Sequence, residues 1–429
     1  MTEKDISINL RLSTGYARQI TIIGGFFFIF GFLTWVNGTL IPYLRIACEL
    51  EEWQAYLVAF AFYISYTIMA IPSGKLLQHT GMIKGMRIGL VVMAFGCALF
   101  IPAALMRFYP IFLTGLFIVG MGMTLLQTAV NPYITLLGPP DRAAQRISLM
   151  GICNKFAGVI APIVLGSIIL NNADSLLSEL HSLNPDQKSL RLDELAYEVV
   201  LPYCGLTVIL LVIAYALKYA HLPDLQVEHS PDTTEVNALT RPQLLNFLLG
   251  FTAIFCTVGV EVIAGDTISN YGLYHHLSLD IAKSLTSYTL AAMMFGYVLG
   301  SVLIPRFIRQ EKAFLYSNIL AIVLTVLIIF LPGTQSLACL ALLGFANALL
   351  WPAIWPQALK GLKGKALSHV SAILIMGIAG GAILPVIYGW IAHHSNNQVA
   401  YLVIIPCYVF NIYYWLYGKR LPLNAAPET

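Results

Sequence analysis

The stretch ITIIGGFFFIFGFLTWVNGTL, residues 20–40, contains no charged side chain. A helix rises about 1.5 Å per residue, so about 20 apolar residues cross the hydrocarbon core of a bilayer, which is about 30 Å thick. A cleaved secretory signal has a shorter apolar region, of about 7–15 residues, and a cleavage site with small residues. The stretch therefore predicts a membrane-spanning helix that remains in the protein.

The rest of the chain repeats this pattern. Of the 429 residues, 58% are hydrophobic and 10% are charged, whereas a soluble domain carries about 25% charged residues. There is too little charge to cover a water-facing surface, so the bilayer must surround most of this all-α polytopic protein. The twelve predicted spans lie near 20–41, 54–73, 87–106, 110–137, 147–170, 199–217, 243–268, 284–304, 312–331, 336–358, 367–392 and 399–417.

The distribution of Lys and Arg tests the number of spans. If the N-terminus is cytoplasmic, 18 of the 24 basic residues face the cytoplasm, five face the outside, and Lys155 alone lies within a span. An excess of basic residues on the cytoplasmic side is the rule for membrane proteins, and an odd number of spans would scramble it. Both termini are therefore predicted to be cytoplasmic. The five outside residues are Arg45, Arg107, Lys188, Arg191 and Lys283.

The two halves of the chain resemble each other. AVNPYITLLG (129–138) resembles LLWPAIWPQALKG (349–361), because in each a proline interrupts the end of the fourth helix of six. APIVLG (161–166) likewise resembles LPVIYG (384–389), and the offsets between matching prolines are 220 and 223 residues. Such a parallel repeat predicts the major facilitator fold, whose substrate site lies between two six-helix halves. The predicted divisions are 1–217 for the first half, 218–241 for a cytoplasmic linker and 242–429 for the second half.

Three charged residues fall within the predicted spans: Lys155 in the fifth, and Glu261 and Asp266 in the seventh. Each costs about 2.5–3.5 kcal/mol at the centre of a membrane helix, so such residues normally pair or face a water-filled cavity. A structural pair with Lys155 can absorb only one of the two acids. The other acid would then be protonated or bound to an ion, as a coupling site for H⁺ or Na⁺ requires.

The spacing within the seventh span leaves two arrangements open. Five residues separate Glu261 from Asp266, so on a regular helix they point about 140° apart. Alternatively, a helix broken near Gly259 or Gly265 could bring both acids and free carbonyl groups together. Asn270 shares a helical face with Asp266, and these two residues could supply oxygen ligands to Na⁺. Burial favours the protonated form of a carboxylate, so we expect the coupling cation to be a proton rather than Na⁺.

Uncharged polar and aromatic residues in the spans form a candidate sugar site. Sugar hydroxyls need donors and acceptors that replace water, and sugar C–H faces stack on aromatic rings. Each residue alone has a structural alternative, because an amide can join helices and a tryptophan can pack or lie at the membrane interface. The candidates are Asn37, Gln127, Asn131, Asn154, Asn347, Trp351, Trp355 and Gln357.

Four blocks of sequence resemble the fucose/glucose–galactose permease family of the major facilitator superfamily, over nearly the whole chain apart from the 171–198 loop and the linker. The similarity is greatest to the branch of N-acetylglucosamine and glucose/mannose-type permeases, whose first helix reads Asn-Gly and whose seventh reads Gly-Asp-Thr. A degenerate helix 2–3 loop motif of the superfamily lies at 72–87. The four blocks are FFFIFGFLTWVNGTLIPYL (26–44), LLQTAVNPYITLLGP (125–139), VGVEVIAGDTISNYG (258–272) and LIMGIAGGAILPVIYG (374–389).

This resemblance also shows where the chain departs from the fucose branch. The fucose pattern has an Asp and a Glu where this chain has Gly38 and Gln127, so the proton-carrying carboxylates of that branch are missing. Lys155 replaces a small polar residue. The family positions that are kept are Asn37, Asn131, Asn154 and Glu261.

The resemblance and the residues together predict a secondary transporter that imports a monosaccharide of the glucose, mannose, galactose or N-acetylglucosamine type with a cation. The expected location is a bacterial inner membrane, with lipid as the surroundings and a monomer as the working unit. An antiporter or uniporter for a drug or another small metabolite is the alternative. We find no motif of an enzyme. The net charge of +3 gives no reason to expect nucleic acid, and seven cysteines without a C-x-x-C pair predict neither a metal site nor any cofactor beyond the coupling cation.

Overall fold

The computed structural model describes residues 3–137, 143–170, 173–220, 222, 239–304, 307–362, 370–371, 373–418 and 420–421. In these ranges, twelve helical stretches are long and apolar enough to cross a membrane, which confirms the predicted number and order. Most of the predicted linker 218–241, namely residues 221 and 223–238, lies outside them. Spans 1 to 12 are Tyr16–Ala47, Glu52–Thr80, Met82–Leu105, Tyr109–Asn131, Leu149–Ile169, Pro185–Tyr219, Arg241–Asp266, Leu279–Leu303, Gln310–Phe330, Gly333–Ala358, Ile373–His394 and Asn397–Gly418.

Several spans contain more than one helix, and short helices lie beside them. The first-half helices are Glu3–Trp35, Asn37–Ala47, Glu52–Ala55, Leu57–Thr80, Met82–Ala98, Phe100–Leu105, Tyr109–Leu136, Ala143–Ile169, Ala173–Ser182, Pro185–Tyr197 and Val200–Ala216, followed by the 3₁₀ turn Leu217–Tyr219. The second-half helices are Arg241–Asp266, Ile268–Tyr274, Leu279–Ala282, Leu285–Leu303, Gln310–Phe330, Gly333–Asn347, Leu350–Ala358, Gly380–His394, Asn397–Ala400 and Ile405–Gly418, with 3₁₀ turns at Met376–Ala379 and Tyr401–Ile404.

The first span of each half is broken at a corresponding point. Span 1 breaks at Val36, between helices Glu3–Trp35 and Asn37–Ala47, and span 7 breaks at Thr267, just after Asp266. The Thr267 hydroxyl donates to the carbonyl of Ile263 at 2.6 Å. A helix that ends inside the membrane leaves carbonyl groups outside the regular ladder, and such breaks are tolerated only where protein or a cavity surrounds them.

The repeated prolines have different effects in the two halves. Pro162 and Pro385 both lie inside helices, of spans 5 and 11. Pro132 lies within the continuous helix Tyr109–Leu136, so it does not interrupt span 4 as predicted. Span 10 is interrupted at residues 348–349, and Pro352 falls in the first turn of the next helix. A proline is tolerated in a first turn because its missing N–H would have no partner there.

Residues 171–198, predicted as a loop, contain two short helices. Helix Ala173–Ser182 and helix Pro185–Tyr197 together bury Leu176, Leu192 and Leu195. The Tyr43 hydroxyl of span 1 donates to the Leu195 carbonyl at 2.9 Å. The segment is polar on average, but its leucines recur at helical spacing, so it folds by burying one face.

The two halves meet at one end of the bundle. An even number of spans places both termini at the same end, here called the termini end, and the opposite end is called the far end. At the far end, the Asp174 carboxylate accepts the backbone N–H of Leu279 at 2.7 Å. Lys283 donates to the Leu170 carbonyl at 2.8 Å. These contacts join spans 5 and 8 across the boundary between the halves, so the far end is closed.

Gly389 in span 11 allows a second contact at the far end. A Cβ atom there would run into the Tyr56 ring of span 2 and lie 3.2 Å from the Trp53 Cα atom. Tyr56 packs edge-on against Tyr388 with their ring centroids 5.6 Å apart. Only glycine lets spans 2 and 11 approach this closely.

Replacing Gly389 with Val is therefore expected to hold the two halves apart at the far end. Spin labels on Ser182 and Tyr274, in a variant without native cysteines, report the separation of the halves by their distance distribution. The labels should move apart when Gly389→Val is introduced. The matched change Gly205→Val, at a position where a Cβ meets no described atom within 4 Å, should leave the distribution unchanged. Equal distributions in all three proteins would contradict a closure that depends on Gly389.

Candidate substrate and coupling site

Lys155 and Glu261 form an ion pair that joins the two halves. The distance from Lys155 Nζ to Glu261 Oε1 is 2.5 Å, and the side chains are 8% and 15% exposed. Lys155 Nζ also lies 4.8 Å from the centroid of the Trp35 ring and 5.9 Å from that of Tyr297. The ammonium group therefore has a charge partner and two ring faces, which together replace much of its lost water.

Asp266 has none of these compensations. Its side chain is fully buried, and among the described residues neither carboxylate oxygen has a hydrogen-bond partner. None of the ion pairs in the described part of the chain includes it. The structure therefore separates the two acids of span 7, with Glu261 on the side of span 5 and Asp266 on another side. This is the first of the two arrangements predicted from their spacing, because the helix breaks after Asp266 and not between the acids.

The surroundings of Asp266 come from both halves. Gly265 packs directly against the Trp35 ring of span 1, and its carbonyl accepts the Thr286 hydroxyl of span 8 at 2.8 Å. Asn270 donates through its amide nitrogen to the Tyr56 hydroxyl of span 2 at 3.4 Å. The Asn270 side-chain oxygen has no described partner. Asp266 thus lies at the boundary that closes when the far end closes.

Four of the predicted sugar ligands can be reached by solvent. Asn131 is exposed, and Gln127, Trp351 and Trp355 are half-buried. Gln127 donates to the Tyr66 hydroxyl of span 2 at 3.1 Å. The rings of Trp351 and Trp355 stack with centroids 5.3 Å apart and an interplanar angle of 22°. Spans 4 and 10 present these groups in their parts nearer the termini end.

The other predicted ligands are engaged in packing or fully buried. The Asn347 oxygen accepts the Tyr408 hydroxyl at 2.8 Å within the second half. Asn154 is half-buried and donates to the Phe27 carbonyl of span 1 at 3.4 Å. Asn37 is fully buried beside the break in span 1, and its amide has no partner among the described residues. The Gln357 amide nitrogen, near the termini end, is also buried without a described partner.

Tyrosines of span 2 belong to the site and were not singled out from the sequence. Tyr63 stacks on Tyr66 with centroids 6.4 Å apart, and it packs against Gly381 of span 11. Residues 56, 63 and 66 recur at spacings of seven and three, which places them on one face of a helix. That stripe of tyrosines on one face of a span is the signal that could have found them.

A groove of about 710 Å³ lies elsewhere, between spans 1 and 6. Its walls are apolar, for example Phe28 and Ile213, and Arg18 lies among its lining residues. The groove includes neither the ion pair nor the half-buried amides. It is therefore separate from the candidate site.

Twelve spans in two halves, with an ion pair joining the halves inside the membrane, define a multi-pass membrane transporter. The chain belongs to the major facilitator superfamily, whose family model matches residues 22–383. It is similar to the glucose/galactose transporter of Brucella abortus, with 33% identity over 94% of this chain and 95% of that protein. It is also similar to the L-fucose-proton symporter of Escherichia coli, with 28% identity over 93% of this chain and 92% of that protein.

A solved structure shows the same fold. The crystal structure of the transporter FucP in the outward conformation matches with a TM-score of 0.72 and 27% identity, over 94% of this chain and 99% of that one. The predicted fold and the predicted family are thereby confirmed. The relatives are transporters and not enzymes, in agreement with the sequence.

The Lys155→Met substitution is expected to destabilise the protein by about 3–5 kcal/mol, because it leaves the Glu261 carboxylate buried without its partner. A second substitution in the same chain, Glu261→Gln, removes the unpaired charge and should recover most of this loss. Equilibrium unfolding by denaturant in detergent micelles measures both free energies.

The control is Lys188→Met, which breaks an ion pair with Glu49 whose side chains are 41% and 52% exposed. This exposed pair should be worth less than about 1 kcal/mol. If the double variant is as unstable as Lys155→Met alone, the loss comes from packing and not from the unpaired charge.

Proposed function

We propose that this protein imports a monosaccharide together with a cation, by alternating access across a bacterial inner membrane. The sugar is of the glucose, galactose, mannose or N-acetylglucosamine type. The observation that carries the proposal is the membrane-buried Lys155–Glu261 pair beside the unpaired Asp266, because a transporter that only equilibrates its substrate has no use for unpaired buried charge. The similarity to a glucose/galactose transporter and to an L-fucose-proton symporter supports the substrate class.

The sugar site of this proposal lies between spans 4 and 10. Gln127 and Asn131 supply donors and acceptors to the hydroxyl groups, and Trp351 and Trp355 supply a stacked ring surface to a C–H face. Asn37 lies deeper and completes the polar wall. Asn154, Asn347 and Gln357 then act by positioning helices: Asn154 and Asn347 bond the Phe27 carbonyl and the Tyr408 hydroxyl, and the Gln357 amide nitrogen is buried.

The coupling cation binds at the acids of span 7. Glu261 is paired to Lys155 across the halves, and Asp266 has Asn270 as its polar neighbour in the next turn. A cation that neutralises the acid left without a partner allows the two halves to close around that acid without burying an uncompensated charge. H⁺ and Na⁺ both fit the chemistry of a carboxylate, and the proton symport of the E. coli relative favours H⁺.

The proposed orientation places the termini end in the cytoplasm. The excess of Lys and Arg at that end supports this orientation. With the far end closed by Asp174 and Lys283, the structure then has its outward side closed. The named relatives come from bacteria, which supports the inner membrane as the location, and the protein acts as a monomer of two halves joined by the linker 218–241.

Uptake into proteoliposomes tests the proposal. Radiolabelled glucose should accumulate when a cation gradient is imposed, and unlabelled galactose, mannose, fucose and N-acetylglucosamine should compete in an order that identifies the substrate. A pH gradient and a Na⁺ gradient, imposed separately, identify the cation. The alternative is a drug antiporter. It would be supported if no sugar were taken up and no sugar protected the protein from thermal unfolding, whereas lipophilic cations did protect it.

Substitutions in the sugar site should weaken binding without loss of folding. Trp355→Ala removes one of two stacked rings, and an aromatic contact is worth about 0.5–1.5 kcal/mol, so the dissociation constant should rise about two- to tenfold. Gln127→Ala should raise it about fivefold, for the loss of one hydrogen bond of about 1 kcal/mol. Isothermal titration with the transported sugar measures both effects.

The matched control is Trp390→Ala, an exposed tryptophan of span 11 that stacks on His394 with centroids 4.6 Å apart. It should bind sugar like the unmodified protein. Equal losses for Trp355→Ala and Trp390→Ala would place the sugar elsewhere.

A further inference from the structure

The two acids of span 7 are in opposite electrostatic situations, and this difference assigns separate roles within the proposed symport, on which the inference rests. The charge of Glu261 is matched by Lys155 in the closed structure. The charge of Asp266 is matched by no described side chain, although Asp266 is fully buried. A cation is needed at Asp266 and not at Glu261 for this conformation to hold no uncompensated charge.

Among the described residues, no basic side chain pairs with the Asp266 carboxylate. On span 2, the phenols of Tyr56 and Tyr63 lie within electrostatic range of its carboxylate. On span 12, the Tyr401 hydroxyl is hydrogen-bonded to the Thr267 hydroxyl at 2.7 Å.

Beyond this layer, two charged residues, Glu52 and Arg45, act on Tyr56. Lys155, the basic residue of span 5, is held by Glu261. The groups described next to Asp266 are therefore neutral phenols, hydroxyls and an amide.

Burial of Asp266 depends on closure of the far end. Trp35 and Tyr56, from the first half, cover Gly265 and Asn270 of span 7. Gly38 of span 1 packs on Thr286, whose Oγ1 atom lies 2.5 Å from the position that a Cβ would take. When the halves separate at the far end, these covers leave and water reaches the carboxylate. Closing the far end removes that water again.

We propose that Asp266 is the residue that carries the coupling proton, and that the far end closes only after Asp266 is protonated. The carboxylate takes a proton from the water that reaches it while the far end is open, which forms an O–H bond and leaves the group neutral. When the termini end opens in turn, this O–H bond breaks and the proton passes to the water on that side. The neutral acid can donate to the side-chain oxygen of Asn270, the buried acceptor without a described partner one turn further along the chain. The neutral carboxylic acid is then buried at little cost, whereas the carboxylate resists burial.

The same surroundings favour a proton over Na⁺. A proton needs one acceptor, and Asn270 provides one. Na⁺ needs several oxygen ligands at once. The hydroxyls next to Asp266 already make two hydrogen bonds each. Thr286 donates to the Gly265 carbonyl and pairs with the Ser269 hydroxyl. Thr267 donates to the Ile263 carbonyl and pairs with the Tyr401 hydroxyl.

The test compares Asp266→Asn with the unmodified protein in proteoliposomes. Asparagine has the shape of the protonated acid and cannot lose a proton. With a gradient of one pH unit, the unmodified protein should accumulate sugar about tenfold per proton, and Asp266→Asn should reach only equal concentrations on both sides. The variant should still exchange labelled for unlabelled sugar, at a rate that no longer falls as the pH is raised.

A second measurement follows closure directly. In the unmodified protein, raising the pH should shift the spin labels on Ser182 and Tyr274 towards the separated distance, because the carboxylate then opposes burial. In Asp266→Asn the distance distribution should stay the same at every pH. The matched control is Asp193→Asn, an acid whose side chain is 57% exposed and which should keep the pH response. Sugar-dependent thermal stabilisation shows that each variant is folded.

The possible results separate this proposal from the sugar symport itself. If Asp266→Asn still accumulates sugar, or if Glu261→Gln and not Asp266→Asn abolishes the pH response, Asp266 is not the proton carrier. If a Na⁺ gradient drives uptake in the unmodified protein and a pH gradient does not, the proton assignment is wrong. If the unmodified protein neither exchanges nor accumulates any sugar, the proposed function fails first.

Discussion

The interior of a bilayer offers a charged side chain no water, and the organisation of this transporter depends on how that constraint is met. Lys155 and Glu261 satisfy it together, and they do so across the boundary between the two halves. Their pairing ties span 5 to span 7 in the structure with a closed far end. Breaking such a pair on one side is costly, so it favours conformations in which both partners stay together.

The breaks in spans 1 and 7 follow from the same constraint. A regular helix satisfies its own backbone groups and presents little to a ligand. One helix ends at Trp35 and another at Asp266, and the two halves each place a polar side chain, Asn37 or Asp266, beside the break. The residues nearest these breaks are small or aromatic, and Gly265 against Trp35 is the closest example. Close packing there keeps Asp266 out of contact with bulk water when the far end is closed.

In the proposed function, sugar recognition and coupling occupy different depths. The reachable amides and tryptophans lie towards the termini end, whereas the acids lie where the halves meet. In this arrangement a sugar contributes to closing the termini end, because it occupies the polar groups that closure would otherwise bury. A cation contributes to closing the far end, because it neutralises the acid that closure would otherwise bury. Substrates that differ by one hydroxyl are then distinguished by single hydrogen bonds in the reachable part of the site, where a missing partner costs about 1–3 kcal/mol.

The sequence by itself determined the twelve spans, the division into halves and the presence of three charges in the membrane, because hydrophobic length and the count of charges do not depend on packing. It also predicted that Lys155 could absorb only one of Glu261 and Asp266. Only the tertiary structure decided which one, since the choice depends on which face of span 7 meets span 5. The helices within residues 171–198 and the tyrosine stripe of span 2 were likewise decided by contacts between distant segments. Local sequence sets where a helix can form, but the burial of a particular face depends on its neighbours.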